Sequence, residues 1–497
     1  MVSTVARVAG WMKRTAASWS QSTFGIATGY SVTDPRRKIL AKGGRPTNGT
    51  ANELLTASLP VLRAYVRNLE RNNPSARAAI DGLTSLCVGQ GIALEIETGD
   101  ERIDGLLRAQ WVEWLDHCVV DGRDIYELQS QGFREMCATG ELLWRFVMMP
   151  ERAKGGGIAL SVLPLEAEWL DESTGMGIGR NADGTVDVGP VTVDTYGRPV
   201  RYRLRSPETS LGMQTETVQA ADIVHVFEKR RSLQARGEPW LAPVIETLQQ
   251  ERDLVDAELQ AAITCASIGI AITSESHGAG DTTTEGDTTD PAETLRLGAV
   301  ARLFPGEKIE SFSHSRPGQQ IAAFRQMLRG DIAAAMRLPQ RYLDRDVSRA
   351  NYSSMRADMI DTERFLQPVR EWFGHATIGR LFRAVLPFLC LRAGVPMPKK
   401  VNYRLLPDGQ PYVDPYKDIQ ASAMAVGAGF TTWEAEIAKK GGDYRKVWTQ
   451  LAKEREEAKA LGLVLDLSGT NAPAPAPEST AGDQPTPEPA KPVGDNA

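Results

Sequence analysis

The sequence lacks the motifs by which most enzymes, metalloproteins and cofactor-binding proteins are recognised. HExxH, P-loop, GxSxG and Rossmann glycine patterns are all absent. The five histidines lie far apart without metal-ligand spacing, and the five cysteines include no CxxC pair. We therefore predict no catalytic residue, no metal site and no cofactor. The scattered cysteines are interpreted as buried free thiols in a reducing compartment.

Long apolar runs and an excess of basic charge are missing too. The longest apolar run, residues 261–272, is too short to span a bilayer, and the N-terminal segment shows no signal-peptide core. The net charge of -6 argues against a general nucleic-acid binder that holds phosphates with a basic surface. These absences predict a cytoplasmic protein that does not enter a membrane.

Four features that resemble functional motifs have simpler structural interpretations. The glycines of GMGIGRN (175–181) lack a strand-then-helix frame, which favours a turn over a phosphate cradle. The stretch NADGTVD (181–187) lacks the closing glutamate of a calcium loop, so a surface hairpin is favoured. His225 lies in a strand-like VHVF and is interpreted as a packed core residue. Ser353 and Ser354 are interpreted as helix caps.

Hydrophobic content of 42% and charged content of 24% are typical of a soluble globular protein, and 497 residues predict two to four domains. Helical spacing dominates residues 52–139, with Asn52 as a plausible N-cap and Asn72-Asn73-Pro74 ending the first helix. Strand-like alternation follows over 142–229, with Tyr196-Gly197 as a turn between two arms. This order predicts an α+β domain.

A long amphipathic helix is predicted next, beginning at Pro239 within the stretch 236–272. Its apolar positions recur at helical spacing: Leu241, Val244, Ile245, Leu248, Val255, Leu259, Ile263 and Ala266. The other face is acidic and is expected to face water: Glu246, Glu251, Asp253, Asp256 and Glu258. A second helical pattern at 321–338 predicts an antiparallel hairpin, and periodicity alone favours an ordinary hairpin inside a globular core.

A polar connector without a helical period follows at 339–353. In it Arg341, Arg345 and Arg349 alternate with Asp344 and Asp346. Two interpretations stay open, a solvated loop with local ion pairs and a loop presented to a polyanion. Beyond it we predict a long helix from Ser353 or Ser354, a Pro-rich extended segment over 396–415, and a small helical unit over 416–467.

Several stretches occur in the order and spacing of one known family: AYVRNLERNNPSARAAIDGLTSLCVGQGI, ATGELLWRF, VDTYGRPVRYRL, HVFEKRRSLQARGEPWLAPVIETLQQERDLVDAELQAA, LFPGEKIESF and LPQRYLDRDVSRANYSSMRADM. Through them the chain resembles the lambda-type portal proteins of tailed bacteriophages, from about residue 51 to about residue 404. The resemblance weakens before Asn52 and after Pro415.

The resemblance implies a ring-forming α+β portal fold. Its parts would be an N-terminal arm (1–51), a wing (52–235), stem helix 1 (236–272), a clip (273–320), stem helix 2 (321–338), a tunnel loop (339–353), a long helix returning to the wing with an extended segment (354–415), a helical crown (416–467) and a Pro-rich tail (468–497). The composition of the tail predicts disorder.

The resemblance also implies a structural, non-enzymatic function. About twelve copies would assemble in the host cytoplasm into a ring at one capsid vertex of the virion, the channel for packaging and ejecting double-stranded DNA. The implied partners are the large terminase subunit, a head-completion (adaptor) protein and the major capsid protein, with no membrane. The tunnel loop would bring to the DNA Arg341, Tyr342, Asp344, Arg345, Asp346, Arg349, Asn351 and Tyr352. The clip would include Pro305, Gly306, Glu307 and Lys308.

On this hypothesis the acidic stem face, repeated around a channel, repels the phosphate backbone, so DNA slides with few contacts. Leu248→Asp or Val255→Asp is expected to block ring assembly and to leave a folded monomer, because either places a charge in the packing stripe.

Two other classes compete with the portal hypothesis. A metal-dependent nuclease would use a carboxylate pair such as Asp344 and Asp346, and would need further carboxylates supplied by the fold. A membrane-attached scaffold would be anchored through the weakly amphipathic N-terminus.

Overall fold

The computed structural model describes residues 49–172, 177–205, 215–267, 271–274, 307–310, 320–346, 351–409 and 414–463. Several predicted features lie outside the described residues: nearly all of the N-terminal arm, most of the clip including Pro305 and Gly306, Arg349 of the connector, and the Pro-rich tail.

Helices occupy the beginning, the middle and the end of the described chain. They are α1 (Ala51–Asn72), α2 (Pro74–Cys87), α3 (Glu101–Leu115), α4 (Ile125–Thr139), α5 (Pro150–Lys154), α6 (Ile245–Ser267), α7 (Ile321–Met336), α8 (Arg341–Asp344), α9 (Tyr352–Ala376), α10 (Ile378–Ala393), α11 (Pro415–Gly427), α12 (Trp433–Lys439) and α13 (Tyr444–Ala460).

The described strands form antiparallel sheets. They are β1 (Ala93–Glu97), β2 (Leu142–Met148), β3 (Leu160–Leu165), β4 (Ile178–Arg180), β5 (Val186–Val188), β6 (Val191–Val193), β7 (Pro199–Arg205), β8 (Thr215–Gln219), β9 (Ile223–Val226), β10 (Ala271–Ser274), β11 (Glu307–Glu310) and β12 (Asn402–Leu406). The sheet orders are β3-β2-β9, β4-β5-β6-β7-β8, β1-β12 and β10-β11. The predicted α+β class is therefore confirmed.

The N-cap of the first helix lies two residues before the predicted cap, Asn52. The N-cap is Thr50, whose hydroxyl accepts a hydrogen bond from the amide of Glu53, while the Glu53 carboxylate accepts one from the amide of Thr50. This reciprocal arrangement satisfies two amides that have no partner within the helix. Asn52 instead lies inside α1, and its side chain bonds the backbone of Leu233 and Ala235.

The main hydrophobic core joins the two ends of the described chain. Trp111 of α3 stacks on Trp114 with ring centroids 5.3 Å apart and meets Phe382 of α10 edge-on at 5.4 Å. Strand β1 pairs with β12, so Ala93 lies opposite Leu406. Part of the Pro-rich segment predicted only as extended is therefore a paired strand, and α9 and α10 return to the core begun by α1 to α4.

Two predicted hairpins are confirmed in the five-stranded sheet. Between β6 and β7 the carboxylate of Asp194 accepts hydrogen bonds from the amides of Tyr196 and Arg198, both at 2.8 Å, and Gly197 takes the positive φ of 77°. Glycine adopts that conformation without a Cβ penalty. The stretch from 181 to 187 lies in the hairpin of β4 and β5, with residues 181–185 as its turn, as the missing calcium-loop glutamate indicated.

A buried ionic cluster fixes α1 to the sheet region and to the chain before α6. Glu141 accepts hydrogen bonds from Arg236 Nε at 2.7 Å and from Arg63 at 2.5 Å, and Glu172 bonds both arginines. Burial opposes the charge of Glu141, but the two guanidinium groups outweigh it and hold the pKa of this carboxyl well below its usual range. His225 Nε2 lies 3.5 Å from the same carboxylate. The side chain of His225 is buried, as predicted, and burial lowers its pKa.

Candidate stem and channel surface

The two long helices α6 and α7 pack against each other, as expected for the predicted helical hairpin. Strands β10 and β11 continue the pair beyond α6, with Ala271 opposite Glu310. The first helix begins at Ile245 and not at Pro239, because residues 242–244 form a 3-10 turn that contains Pro243.

The predicted apolar stripe of α6 divides into two parts. Its first part, including Leu248 with an exposed fraction of 0%, lies in the core of the subunit itself. Its second part does not, since Leu259 and Ile263 are 55% and 51% exposed. Because Leu248 packs within one subunit, the structure leads us to expect that Leu248→Asp destabilises the monomer instead of leaving it folded.

Helix α7 also carries exposed apolar side chains, since Phe324 and Met327 are 48% and 54% exposed. With Leu259 and Ile263 they form what we call the stem apolar residues. Exposed apolar side chains of this size on two packed helices make this surface a candidate contact with another molecule.

The predicted acidic face of α6 is only partly a solvent face. Asp253 and Asp256 are exposed, with Asp256 3.8 Å from Arg252 one turn away, and Glu246 and Glu258 are half-buried. The prediction is wrong for Glu251, which is buried with an exposed fraction of 3%.

Glu251 joins α6 to α7 through ion pairs and joins α6 to α2 through a hydrogen bond. Its carboxylate accepts hydrogen bonds from Arg325 Nε at 2.9 Å, Arg329 Nε at 2.8 Å and Ser75 Oγ at 2.8 Å. Burial opposes ionisation, but these donors outweigh it and lower the pKa of Glu251 below its ordinary value. Sequence reasoning missed the two arginines, although their spacing of four residues places them on one face of α7, turned toward an acidic helix.

The predicted tunnel-loop residues lie at the end of the helix pair, but two of them are already engaged. Residues Arg341–Asp344 form the short helix α8. Arg341 donates a hydrogen bond to Asp358 of α9 at 2.8 Å, and its guanidinium carbon lies 5.4 Å from the ring centroid of Tyr342. Tyr342 itself packs beside Gly82 of α2.

The remaining described residues of this loop differ in exposure and in hydrogen bonding. Arg345 is exposed and takes a left-handed conformation, with φ of 55°, where α8 ends. The amide of Asp346 lies 3.4 Å from an oxygen of Asp344. Asn351 caps α9 by accepting a hydrogen bond from the amide of Ser354 at 2.8 Å, so α9 begins at Tyr352, just before the predicted serines.

Of the predicted clip, Glu307 and Lys308 lie in β11, opposite Ser274 and Thr273 of β10. The strand pattern in LFPGEKIESF is thereby confirmed at 307–310.

Over the described part of the chain, no group of three or more His, Cys, Asp or Glu side chains is placed to hold a metal ion together. None of the helices in this part of the chain has both the length and the apolarity needed to cross a bilayer.

Residues 38–370 match the family model for phage portal proteins of the lambda family. The chain belongs to this family. The portal protein of Escherichia phage N15 is 26% identical over 272 residues, which cover 48% of this chain and 51% of the relative. Portal protein B of Escherichia phage lambda is 26% identical over 275 residues, covering 49% and 52%. The chain thus spans about half the length of these two portal relatives.

A longer alignment links the chain to a probable portal protein of Halomonas phage phiHAP-1, 22% identical over 447 residues that cover 84% of this chain and 85% of the relative. A chain in the virion of a native gene transfer agent particle has a TM-score of 0.46 at 16% identity, covering 81% of this chain and 97% of that one. An HK97 family phage portal protein from Corynebacterium diphtheriae has a TM-score of 0.29 at 12% identity, covering 55% and 76%.

Proposed function

We propose that about twelve copies of this portal-family chain form a closed ring at one vertex of a phage capsid and that double-stranded DNA enters and leaves through its centre. The α6–α7 pair is the stem, the region of β10 and β11 is the clip, residues 339–353 form the tunnel loop, and α11 to α13 form the crown. The large terminase subunit and a head-completion protein dock at the clip, and the major capsid protein surrounds the ring.

The observation that carries this proposal is the set of stem apolar residues within a chain of the portal family. A ring with head-to-tail contacts covers a different face on each side of every subunit. The α6–α7 pair offers an apolar surface for such a contact, because Leu259 and Ile263 are 55% and 51% exposed on α6 and Phe324 and Met327 are 48% and 54% exposed on α7. The crown offers one as well, since Met424, Phe430 and Trp433 are 69%, 88% and 53% exposed.

Charge supports passage of DNA through the ring. Each copy carries a net charge of -6, and Asp253 and Asp256 on the stem are exposed. A channel lined by carboxylates repels phosphates and forms few contacts that would have to break during sliding.

The native mass of the full-length protein tests the proposal. Light scattering is expected to give about twelve times the subunit mass of 54.2 kDa, and negative-stain images are expected to show rings with a central hole. A stable monomer or dimer at high concentration would contradict the ring.

The described tunnel-loop residues predict unequal effects of two arginine substitutions. Arg345→Ala is expected to weaken DNA retention in packaged particles, because Arg345 is exposed and no described residue forms an ion pair with it. Arg341→Ala is expected to have a smaller effect on retention, because Asp358 already neutralises Arg341. The measurement is the fraction of packaged DNA retained after salt or chelator challenge. Equal losses in the two variants would contradict this ordering.

A further inference from the structure

An aromatic groove lies between the end of β9 and the outer side of α9. It encloses about 610 Å³. Its aromatic walls are Phe227, Trp240, Phe365 and Trp372. Trp240 is held edge-on against Phe133 at 5.8 Å, and Phe133 is held in the same way against Phe373 at 5.1 Å. This wall is therefore built into the core and does not depend on a ligand for its shape.

Three cations border the groove. Lys229, Arg337 and Arg364 are exposed and line it, and none of them forms an ion pair within the described chain. The guanidinium carbon of Arg337 lies 4.4 Å from the ring centroid of Phe365, which fixes one cation beside an aromatic wall. The single carboxylate at the border, Glu228, is already bonded by Arg230 at 3.1 Å. The groove is thus apolar at its wall and positive at its edge.

Such a surface suits a proline-rich peptide that carries acidic residues. Proline-rich segments adopt the polyproline II conformation without internal hydrogen bonds, and they dock in aromatic-lined grooves at low entropic cost. Acidic side chains between the prolines add attraction to a cationic border.

The chain itself contains a segment of this composition. Residues 473–492 read PAPAPESTAGDQPTPEPAKP, which contains seven prolines and three acidic residues, Glu478, Asp483 and Glu488, against one basic residue, Lys491. The described chain stops at residue 463, just past α13. The nine residues of 464–472 that precede the segment can extend over about 28 Å.

The crown lies on the opposite side of the same helix. Gln367 of α9 lines a cavity together with Ala435 and Lys439 of α12, and Arg356 of α9 lies 3.4 Å from Asp418 of α11. An α-helix with its side chains is about 10–12 Å across. The tail therefore starts from a unit packed on one face of α9, and the groove is on the other face.

We propose that residues 473–492 of the tail, from the same or a neighbouring copy, dock in the groove lined by Trp240, Phe365 and Trp372.

Site-specific photo-crosslinking in the full-length protein tests this docking. The photoreactive residue p-benzoylphenylalanine replaces Pro368, which is exposed and lines the groove, or its neighbour Gln367, which is exposed on the opposite face. Mass spectrometry of the irradiated protein is expected to find peptides from 473–492 joined to position 368. From position 367 it is expected to find peptides of α12, which confirms that the reagent reports proximity.

Charge reversal separates docking from chance encounter. Arg337→Glu with Arg364→Glu is expected to lower the crosslink yield at position 368 about tenfold, since two charge reversals at an exposed border together change binding by about 1.4 kcal/mol. Adding Glu478→Lys and Glu488→Lys is expected to restore most of the yield. Circular dichroism of each variant checks that the fold is retained.

Three outcomes overturn the proposal. One is crosslinking from position 368 only to folded residues of another copy, which would make the groove a contact between subunits. Another is equal capture of tail peptides from positions 367 and 368. The third is a yield at position 368 that charge reversal leaves unchanged.

Discussion

Leu248→Asp is expected to unfold the subunit. Leu259→Asp, the same exchange three turns further along α6, is expected to leave the subunit folded and to abolish the ring. Leu248 has an exposed fraction of 0% within a single copy. Its replacement removes a buried side chain, which costs about 2–5 kcal/mol, and adds the cost of burying a carboxylate. Because whole domains are stable by only about 5–15 kcal/mol, most of the folding free energy is lost.

Leu259 has the opposite environment in the isolated subunit, where it is 55% exposed. A charge there stays in water and leaves the fold intact, but it would be buried at every subunit contact of the ring. Circular dichroism melting and light scattering on the two variants separate the outcomes. The control is Tyr196→Asp. Tyr196 lies in the β6–β7 hairpin, is 74% exposed and is distant in sequence from α6, so the exchange is expected to change neither measurement.

Either variant can contradict its assignment independently. A cooperatively folded Leu248→Asp subunit would mean that Leu248 does not belong to the core of one copy. Intact rings formed by Leu259→Asp would show that the α6–α7 pair does not lie in the subunit contact. They would not affect the assignment of Leu248 to the core.

The second large effect is expected from Glu141→Gln in the buried ionic cluster. The exchange keeps the size of the side chain but removes the charge that compensates Arg63 and Arg236, which are 3% and 2% exposed. Removing one partner of a buried ion pair leaves the other uncompensated and typically costs about 3–5 kcal/mol. The midpoint of urea unfolding is expected to fall accordingly.

A matched substitution is available on the surface. Glu216 accepts two hydrogen bonds from Arg145, at 2.7 and 2.8 Å, and its side chain is 45% exposed. Glu216→Gln is expected to cost less than about 1 kcal/mol, because solvent screens an exposed pair. A similar loss in both variants would mean that the Glu141 cluster adds nothing beyond an ordinary surface pair.

The effect of Glu141 also has a defined pH dependence. The pKa of Glu141 is depressed in the folded chain, so its contribution is fully present above the unfolded glutamate pKa of about 4.3 and is lost as pH falls through the folded pKa. The difference in unfolding free energy between wild type and Glu141→Gln is therefore expected to be constant near neutral pH and to narrow in acid. A difference that widened in acid would contradict the depressed pKa.

Features that are determined by short stretches of sequence were predictable. Helical spacing gave α1 to α4 within a few residues, and the turn at Tyr196-Gly197 follows from the needs of a tight hairpin. The order and spacing of several short motifs carried the resemblance to the portal family. Each of these signals depends on neighbours along the chain, so no knowledge of the tertiary structure is needed.

Features that depend on distant partners were not predictable. The sequence shows an apolar stripe on α6 but not that Leu248 is covered by its own subunit and Leu259 is not. It shows an acidic face but not that Glu251 meets Arg325, Arg329 and Ser75. Helix α8 has four residues, which is too short for a helical periodicity to show in the sequence. Its Arg341 forms an ion pair with Asp358 of α9, the next helix.

The pairing of β1 with β12 also sets an order of events during synthesis. The edge of β1 remains without its partner until about 300 further residues have been made, because Glu97 pairs with Asn402. At about 5–20 residues per second the ribosome needs roughly 15–60 s for that stretch. During this interval Trp111 of α3 also lacks its ring contact with Phe382, which has not yet been synthesised. The nascent chain is then exposed to chaperones and to aggregation, and no subunit is ready for assembly until translation is almost complete.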